Sequence, residues 1–549
     1  MHGLSVAAAL LKNRDMRRLM AALGAFALTE HGTWLAVMVF AYQRGGVSET
    51  GIALFAILIP SAIMAPLAAR AIVPLGVGRT LAVGFAIQAM LFAVTAAVLV
   101  ADAPAGVVYA AALASSVSLV VTRPAAAALL PSLARSVEEL TAANATSGLV
   151  AMIGLFAGPA AAGFLLAATS LSTVFWGAAG LMVASTGLVA GFAFGHDRLQ
   201  SSIPDAPAPE ASALASAPTA ESTGAPSVRL LIGLQALVFA IIGALDVAFV
   251  ATAVDLLGRS EATAGALNAA HGFGAFVGAL ATLSLVGRRR LTPIIAAAAT
   301  STGLAVAALA LVGDIWPALG LLALAGTGRA VAGIASRTML QSLSPAYALG
   351  RVFGALEGVS MFAIALGALA FSIAADRFGL EVALIGAGAA LPTAVALSFA
   401  RLAAIDRQRP SVDPALVALL RSTPVFGPLP PYAIEQMLAR LERRSFDPDE
   451  TIITIGDEGD EIFVVVSGVV EVRRANGERL TLEVGDYFGE IALLFDRPRT
   501  ASVVAGHDGA VTLTLDRETY RSAIGVNPQS HGRVTALARQ LLESNELDE

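Results

Sequence analysis

The sequence predicts a membrane all-α bundle of twelve helices in two halves of six, followed by a smaller cytoplasmic α+β domain, a β-roll with flanking helices. Three observations lead there. The 549 residues are 56% hydrophobic and only 14% charged, and a mean hydropathy of +0.75 exceeds what a soluble core of this length needs. Apolar stretches about 20 residues long, enough to cross a hydrocarbon core about 30 Å thick, recur up to about residue 402. Beyond Arg401 the pattern changes to short alternating segments separated by turns.

The basic N-terminus, Met1 to Arg18, leads into an apolar run too long for a signal-peptide core, so it reads as a retained first span. The spans fall near 17–42, 50–73, 80–101, 106–131, 144–168, 171–195, 229–256, 262–286, 291–313, 316–341, 350–375 and 380–402. Open strands in lipid would leave backbone groups unpaired, so each span is expected to be helical. Lys12, Arg14, Arg17, Arg18, Arg70, Arg79, Arg135, Arg198, Arg229, Arg288, Arg289, Arg290, Arg351, Arg401, Arg407 and Arg409 fall on one side of an even-span topology. Only Arg44, Arg259 and Arg377 fall on the other. Basic loops stay cytoplasmic, so both termini are expected inside a multi-pass protein of the plasma or inner membrane.

The Pro/Ala/Ser-rich stretch within 196–228 has no periodicity and reads as a flexible linker between halves at 1–195 and 229–405. The halves echo each other. Thr122-Arg123 precedes AAALLPSL, and Ser336-Arg337 precedes TMLQSLSP at the corresponding place. A repeat of this kind puts a substrate site at the repeat interface near the midplane.

NRDMRRL before the first span, RPAAAALLPSL in the fourth and GLFAGPAAAG in the fifth, with Gly154, Gly158, Pro159 and Gly163, resemble the major facilitator superfamily over about residues 10–405. The resemblance implies a twelve-helix carrier that takes a small-molecule substrate. One departure stands out. The loop APLAARAIVPLGVGRT keeps Arg70 and Arg79 but lacks the acidic residue usual in that family.

Ionisable groups inside spans are costly and are functional candidates by default. Glu30 and His31 lie mid-span in the first span and Asp246 in the seventh, its repeat equivalent. Two carboxylates on facing helices suit proton uptake or a cationic substrate; the alternative is that Glu30 pairs internally as structural glue. Arg123 and Arg337 are further transport candidates, against the reading that they reach the cytoplasmic interface by snorkelling. Arg329 and Glu357 read as a gating pair or as span-end residues, and His271 as polar packing.

From about 410 to 549 the chain reads as a separate domain. SVDPALVALLRSTPVF, PPYAIEQMLARLERR, RETYRSAIGV and HGRVTALARQLLESN have helical spacing. TIITI, EIFVVVSG, VVEVRR, ERLTLEV, TASVVAG and AVTLTLD read as strands, with Asn476-Gly477 as a hairpin turn. The result is a small roll. PVFGPLPPYAIEQMLARL, IGDEGDEIFVVVSG and FGEIALLFDRPRTASVVA resemble cyclic-nucleotide-binding domains over about 412–545.

That resemblance implies an anion site. Gly489 allows close backbone approach, Ile491 and Ala492 offer N–H groups, and Arg499 supplies a guanidinium for a cyclic phosphate. Glu490 accepts the ribose 2′-hydroxyl, Thr500 meets a phosphate oxygen or a guanine amino group, and Ala501 offers another N–H. Cyclic AMP is favoured over cyclic GMP. A degenerate roll that binds nothing is the alternative, and the presence of both Arg499 and Glu490 at the family spacing speaks against it.

The sequence holds no cysteine, which removes disulfides and thiolate chemistry, and no metal site is expected. No basic surface points to nucleic acid, and no P-loop or nucleophile–base motif points to an enzyme. The expected function is therefore a secondary transporter exporting a small lipophilic or amphipathic molecule, proton-coupled and allosterically regulated by cyclic nucleotide. A nucleotide-gated channel and a non-transporting membrane-anchored receptor are its rivals. Membrane lipid is the expected surrounding, and the oligomeric state stays open, a homodimer included.

Overall fold

The computed structural model describes residues 13–75, 77–133, 137–200, 226–282, 290–343, 346–408, 414–423, 426, 434, 437–438, 441–474, 477–495, 497–517 and 519–520. They form two compact units, one within residues 1–403 and the other mainly within 404–549.

The first unit is helical: α1 Arg14–Leu75, α2 Val77–Val100, α3 Ala105–Leu133, α4 Val137–Ala168, α5 Leu171–Gln200, α6 Pro226–Ala251, α7 Thr263–Ala281, α8 Thr292–Ala308, α9 Ile315–Leu343, α10 Ala346–Phe378 and α11 Leu380–Gln408. Among the described residues ten helices are long and apolar enough to cross a membrane. The first two apolar stretches form one element, α1, broken where Gly45 and Gly46 leave helical geometry; Gly46 has φ 61°. Helix α6 ends in a π turn, Thr252–Leu256. Helical backbone also enters the stretch read as a linker from both ends, through Gln200 and from Pro226; residues 201–225 lie outside the described ones.

Small residues set the helix spacing. A Cβ on Gly163 of α4 would come within 2.9 Å of Gly265 Cα in α7, and one on Gly158 within 2.7 Å of Leu28 O in α1. Backbones in such contact exclude any larger residue. In NRDMRRL, Asn13 caps α1 by accepting the Met16 N–H at 3.2 Å, while its amide donates to Leu133 O at 3.0 Å and Glu139 Oε1 at 2.6 Å.

The second unit holds α12 Pro414–Ser422, β1 Glu442–Phe446, β2 Thr451–Ile453, β3 Glu461–Arg474, β4 Arg479–Leu482, β5 Tyr487–Phe488, α13 Glu490–Phe495 and β6 Ala501–Asp516. All pairings are antiparallel, in the order β1-β6-β3-β4, with β2 added to β6 and β5 to β3. EIFVVVSG and VVEVRR are one strand, as are TASVVAG and AVTLTLD, because β3 and β6 pair along their length across register shifts at Ser467 and Val470.

Strand alternation makes two cores. Ile462 and Val464 face the helical side with Leu493, Leu513, Leu515, Phe426 and Tyr520. Phe463 and Val465 face the roll interior with Ile453, Phe488 and Val503, and the Phe463 and Phe488 rings stack at 5.0 Å.

The helix expected through LERR is corrected at its end: Glu442–Arg444 is strand. Arg444 is held by Glu461 through two bonds of 2.6 and 2.9 Å, and its backbone pairs with Thr512. Tertiary pairing overrides helix propensity here. Gly477 has φ 88° as a tight turn requires; Asn476 and the stretch HGRVTALARQLLESN lie outside the described residues.

Candidate functional site

In the second unit Gly489, Glu490 and the IGDEGDE loop converge around Arg499. Two turns bring it in. Gly456 N–H donates to Arg499 O at 2.9 Å and Arg499 N–H to Asp457 O at 2.8 Å, which locks its backbone against the IGDEGDE loop. The side chain is 8% exposed. Its Nη1 donates to Gly489 O at 2.9 Å and its Nη2 to Glu461 O at 2.8 Å. A guanidinium has five N–H donors, so three are not spent on these carbonyls.

Two glycines make room for it. Gly489 takes φ 93°, and a Cβ there would stand 2.6 Å from Arg499 Nη1; a Cβ on Gly459 would stand 2.8 Å from Ala492 Cβ. Burial pulls the guanidinium below its usual range, opposed by Glu461, Asp460 and Glu490. A second arginine braces the loop: Arg517 donates from Nε to Asp460 Oδ1 at 2.8 Å and from Nη2 to Gly459 O at 2.9 Å.

Glu490 opens α13 directly after Gly489 and is 7% exposed. Burial raises its carboxyl to about 7, against the pull of its own backbone N–H and of Arg499. Tyr487 and Tyr520 lie within its field; burial first and Glu490 second raise both phenols. Tyr520 packs edge-on against Phe426 at 6.2 Å, and its buried hydroxyl has no hydrogen-bond partner among the described residues. Ala492 is buried, Ile491 and Thr500 are half-buried, and Ala501 starts β6 opposite Arg474. A buried cation and a buried carboxyl side by side suit a ligand bearing both an anion and a hydroxyl.

In the first unit the Nε1–H of Trp34 on α1 donates to Asp246 Oδ2 on α6 at 3.1 Å, which joins the elements that carry Glu30 and Asp246. Glu30 and His31 are half-buried and have partners of their own. Arg329 is electrostatically coupled to Asp246 and to His271, whereas Glu357, the expected gating partner, is exposed. Arg337 is exposed on α9, and the side chain of Arg123 lies outside the described ones.

Sequence reasoning missed the roles of Gly459, Glu461 and Arg517 around Arg499, and that of Trp34. Only the glycines of IGDEGDE hinted at the first group; Trp34 gave no signal beyond its place one turn after Glu30. Among the described residues no group of three or more His, Asp or Glu could hold a metal.

Residues 443–526 match the family described as the cyclic nucleotide-binding domain, and the C-terminal part of the chain is such a domain. Over 106 residues the chain is 35% identical to a cAMP-dependent protein kinase regulatory subunit of Hypocrea atroviridis, covering 19% of this chain and 23% of that one. Over 100 residues it is 39% identical to the corresponding subunit of Yarrowia lipolytica, covering 18% and 26%. Over 116 residues it is 34% identical to the cGMP-dependent protein kinase egl-4 of Caenorhabditis briggsae, covering 20% and 16%. The chain thus spans about a quarter or less of these relatives' length. Among solved structures, a cAMP-bound PfPKA-R fragment (141–441) aligns at 26% identity and a TM-score of 0.22, covering 24% of this chain and 46% of that one. The Thermus thermophilus catabolite activator protein aligns at 30% and 0.21, covering 23% and 61%.

Proposed function

We propose that the chain is a multi-pass secondary transporter of the major-facilitator type, regulated by a cyclic nucleotide bound at Arg499 and Glu490. The observation that carries the reading is the union, in one chain, of ten apolar membrane-length helices among the described residues with a cyclic nucleotide-binding domain. Arg499 grips the cyclic phosphate with the N–H groups not spent on Gly489 and Glu461. Glu490 accepts the ribose 2′-hydroxyl, and the N–H groups of Ile491, Ala492 and Ala501 complete the anion cradle.

Cyclic AMP is favoured over cyclic GMP, with Thr500 the residue that admits the latter; relatives named for each nucleotide accompany this chain. The cargo is a small lipophilic or amphipathic molecule that the carrier exports, with Glu30 and Asp246 as proton-coupling candidates beside His31, Arg123 and Arg337. The domain faces the cytoplasm in this reading. Bound nucleotide biases transport because it prefers one conformation of the carrier, and its effect equals that differential affinity.

The test is flux through the full-length chain in liposomes, with a cargo found by unbiased screening, with and without saturating nucleotide inside. The expected result is a change in rate that Arg499→Ala abolishes. Equal rates would leave a carrier fold that only anchors a sensor, and ionic currents would point to a channel.

A further inference from the structure

We infer that Asp246, Arg329 and His271, closed on one side by Trp34, form a buried cargo site that takes the carboxylate head of an amphipathic molecule. The inference rests on the transporter reading and names the substrate class at its transport site. The three groups come from different helices. Asp246 lies on α6 and is bonded by Trp34 of α1. Phe249, one turn on, meets the His271 ring of α7 at 5.7 Å. Gly326 of α9 lies so close to α7 that a Cβ there would stand 2.9 Å from Ala275 N. That approach brings Arg329, one turn further along α9, beside His271.

The hydrogen-bond inventory is unbalanced. Asp246 is the acceptor, and it already serves Trp34. Arg329 Nε and His271 Nε2 are buried with no hydrogen-bond partner among the described residues, and His271 is only 5% exposed. Glu30 lies one turn before Trp34 and has a partner of its own. Unmade bonds at buried polar atoms are costly, and they mark sites completed by something else. What is missing here is an acceptor oxygen that faces both donors; Asp246 shares the guanidinium's charge but is engaged by Trp34. A carboxylate is planar, matches the guanidinium fork and reaches the Nε2–H tautomer of His271 from the same side. Phe249, against the His271 ring, offers an apolar neighbour to the rest of an amphipath.

The experiment uses the full-length chain in lipid nanodiscs, with Trp176→Phe and Trp316→Phe leaving Trp34 as the emitter; the two removed rings are 49% and 76% exposed. Hexanoate, hexylammonium and hexanol are titrated separately. Hexanoate is expected to change Trp34 emission saturably, and the other two are not. Arg329→Gln should weaken the hexanoate response by roughly tenfold or more, with Arg329→Lys intermediate. A size-exclusion profile and a thermal unfolding midpoint that match the parent show that the helical unit of each variant is folded. Saturation by hexylammonium, an unchanged response in Arg329→Gln, or no saturable response to hexanoate would overturn the inference. Parallel uptake of labelled hexanoate into liposomes separates the two readings. Binding without flux sinks the transporter and leaves the site; flux of other cargo without hexanoate binding sinks the site alone.

Discussion

Cyclic-nucleotide affinity should rise with pH through neutrality, and Glu490→Gln should remove that dependence. Glu490 is buried beside Arg499, and its carboxyl is raised to about 7, chiefly by desolvation. With that value the free protein carries the carboxylate in roughly one tenth of molecules at pH 6 and roughly nine tenths at pH 8. A ribose hydroxyl that donates to Glu490 selects the ionised form. Apparent affinity is therefore full above about pH 8 and is lost as pH falls through about 7, a change of roughly tenfold between pH 6 and 8. The same preference lowers the carboxyl's pKa in the complex, so binding at pH 7 should release about half a proton. Calorimetry on the full-length chain at pH 6, 7 and 8, in buffers of different ionisation enthalpy, reads both quantities. A wild-type affinity that is flat over this range, an affinity that rises toward pH 6, or proton uptake would refute the reasoning.

Two further substitutions test how the site is built. Gly489→Ala places a side chain at φ 93° and 2.6 Å from Arg499 Nη1. The left-handed backbone alone costs about 1–2 kcal/mol, and Arg499 must also move, so nucleotide affinity should fall by roughly tenfold or more; calorimetry that finds it unchanged would contradict the geometry. Leu493→Ala empties a fully buried position in the core beneath α13 and should cost about 2–5 kcal/mol. Faster limited proteolysis of the C-terminal region, slowed again by saturating nucleotide, is the expected readout, and an unchanged rate would count against this packing.

Much of the fold was legible because its signals are local. Lipid-length apolar runs, the Gly/Pro motif around Gly158 and the alternation in EIFVVV are written in adjacent residues, and the helices of the first unit, the α4 close approaches and the two-faced strand β3 follow from them. What escaped is long-range. Trp34 and Asp246 meet across 212 positions, and Arg329 finds Asp246 rather than Glu357, pairings that no periodicity encodes. LERR carries helix-favouring residues, yet Glu461 and β6 draw it into strand β1. At the candidate site, Arg499, Glu490 and Gly489 were named only through the resemblance of FGEIALLFDRPRTASVVA to cyclic-nucleotide-binding domains. The partners of Arg499 were not legible, since they are the backbone carbonyls of Gly489 and Glu461, which any residue supplies.

Whether Arg499 binds a cyclic nucleotide decides the function of the second unit most directly. Removing one member of a buried charge-to-phosphate pair costs about 3–5 kcal/mol, which is a weakening of more than about a hundredfold. Calorimetric titration of the purified full-length protein with cyclic AMP should give one site per chain, and the same titration of Arg499→Ala should show affinity lower by at least that factor. A wild-type chain that takes up no cyclic nucleotide, or an Arg499→Ala variant that binds within about threefold of wild type, would contradict that function.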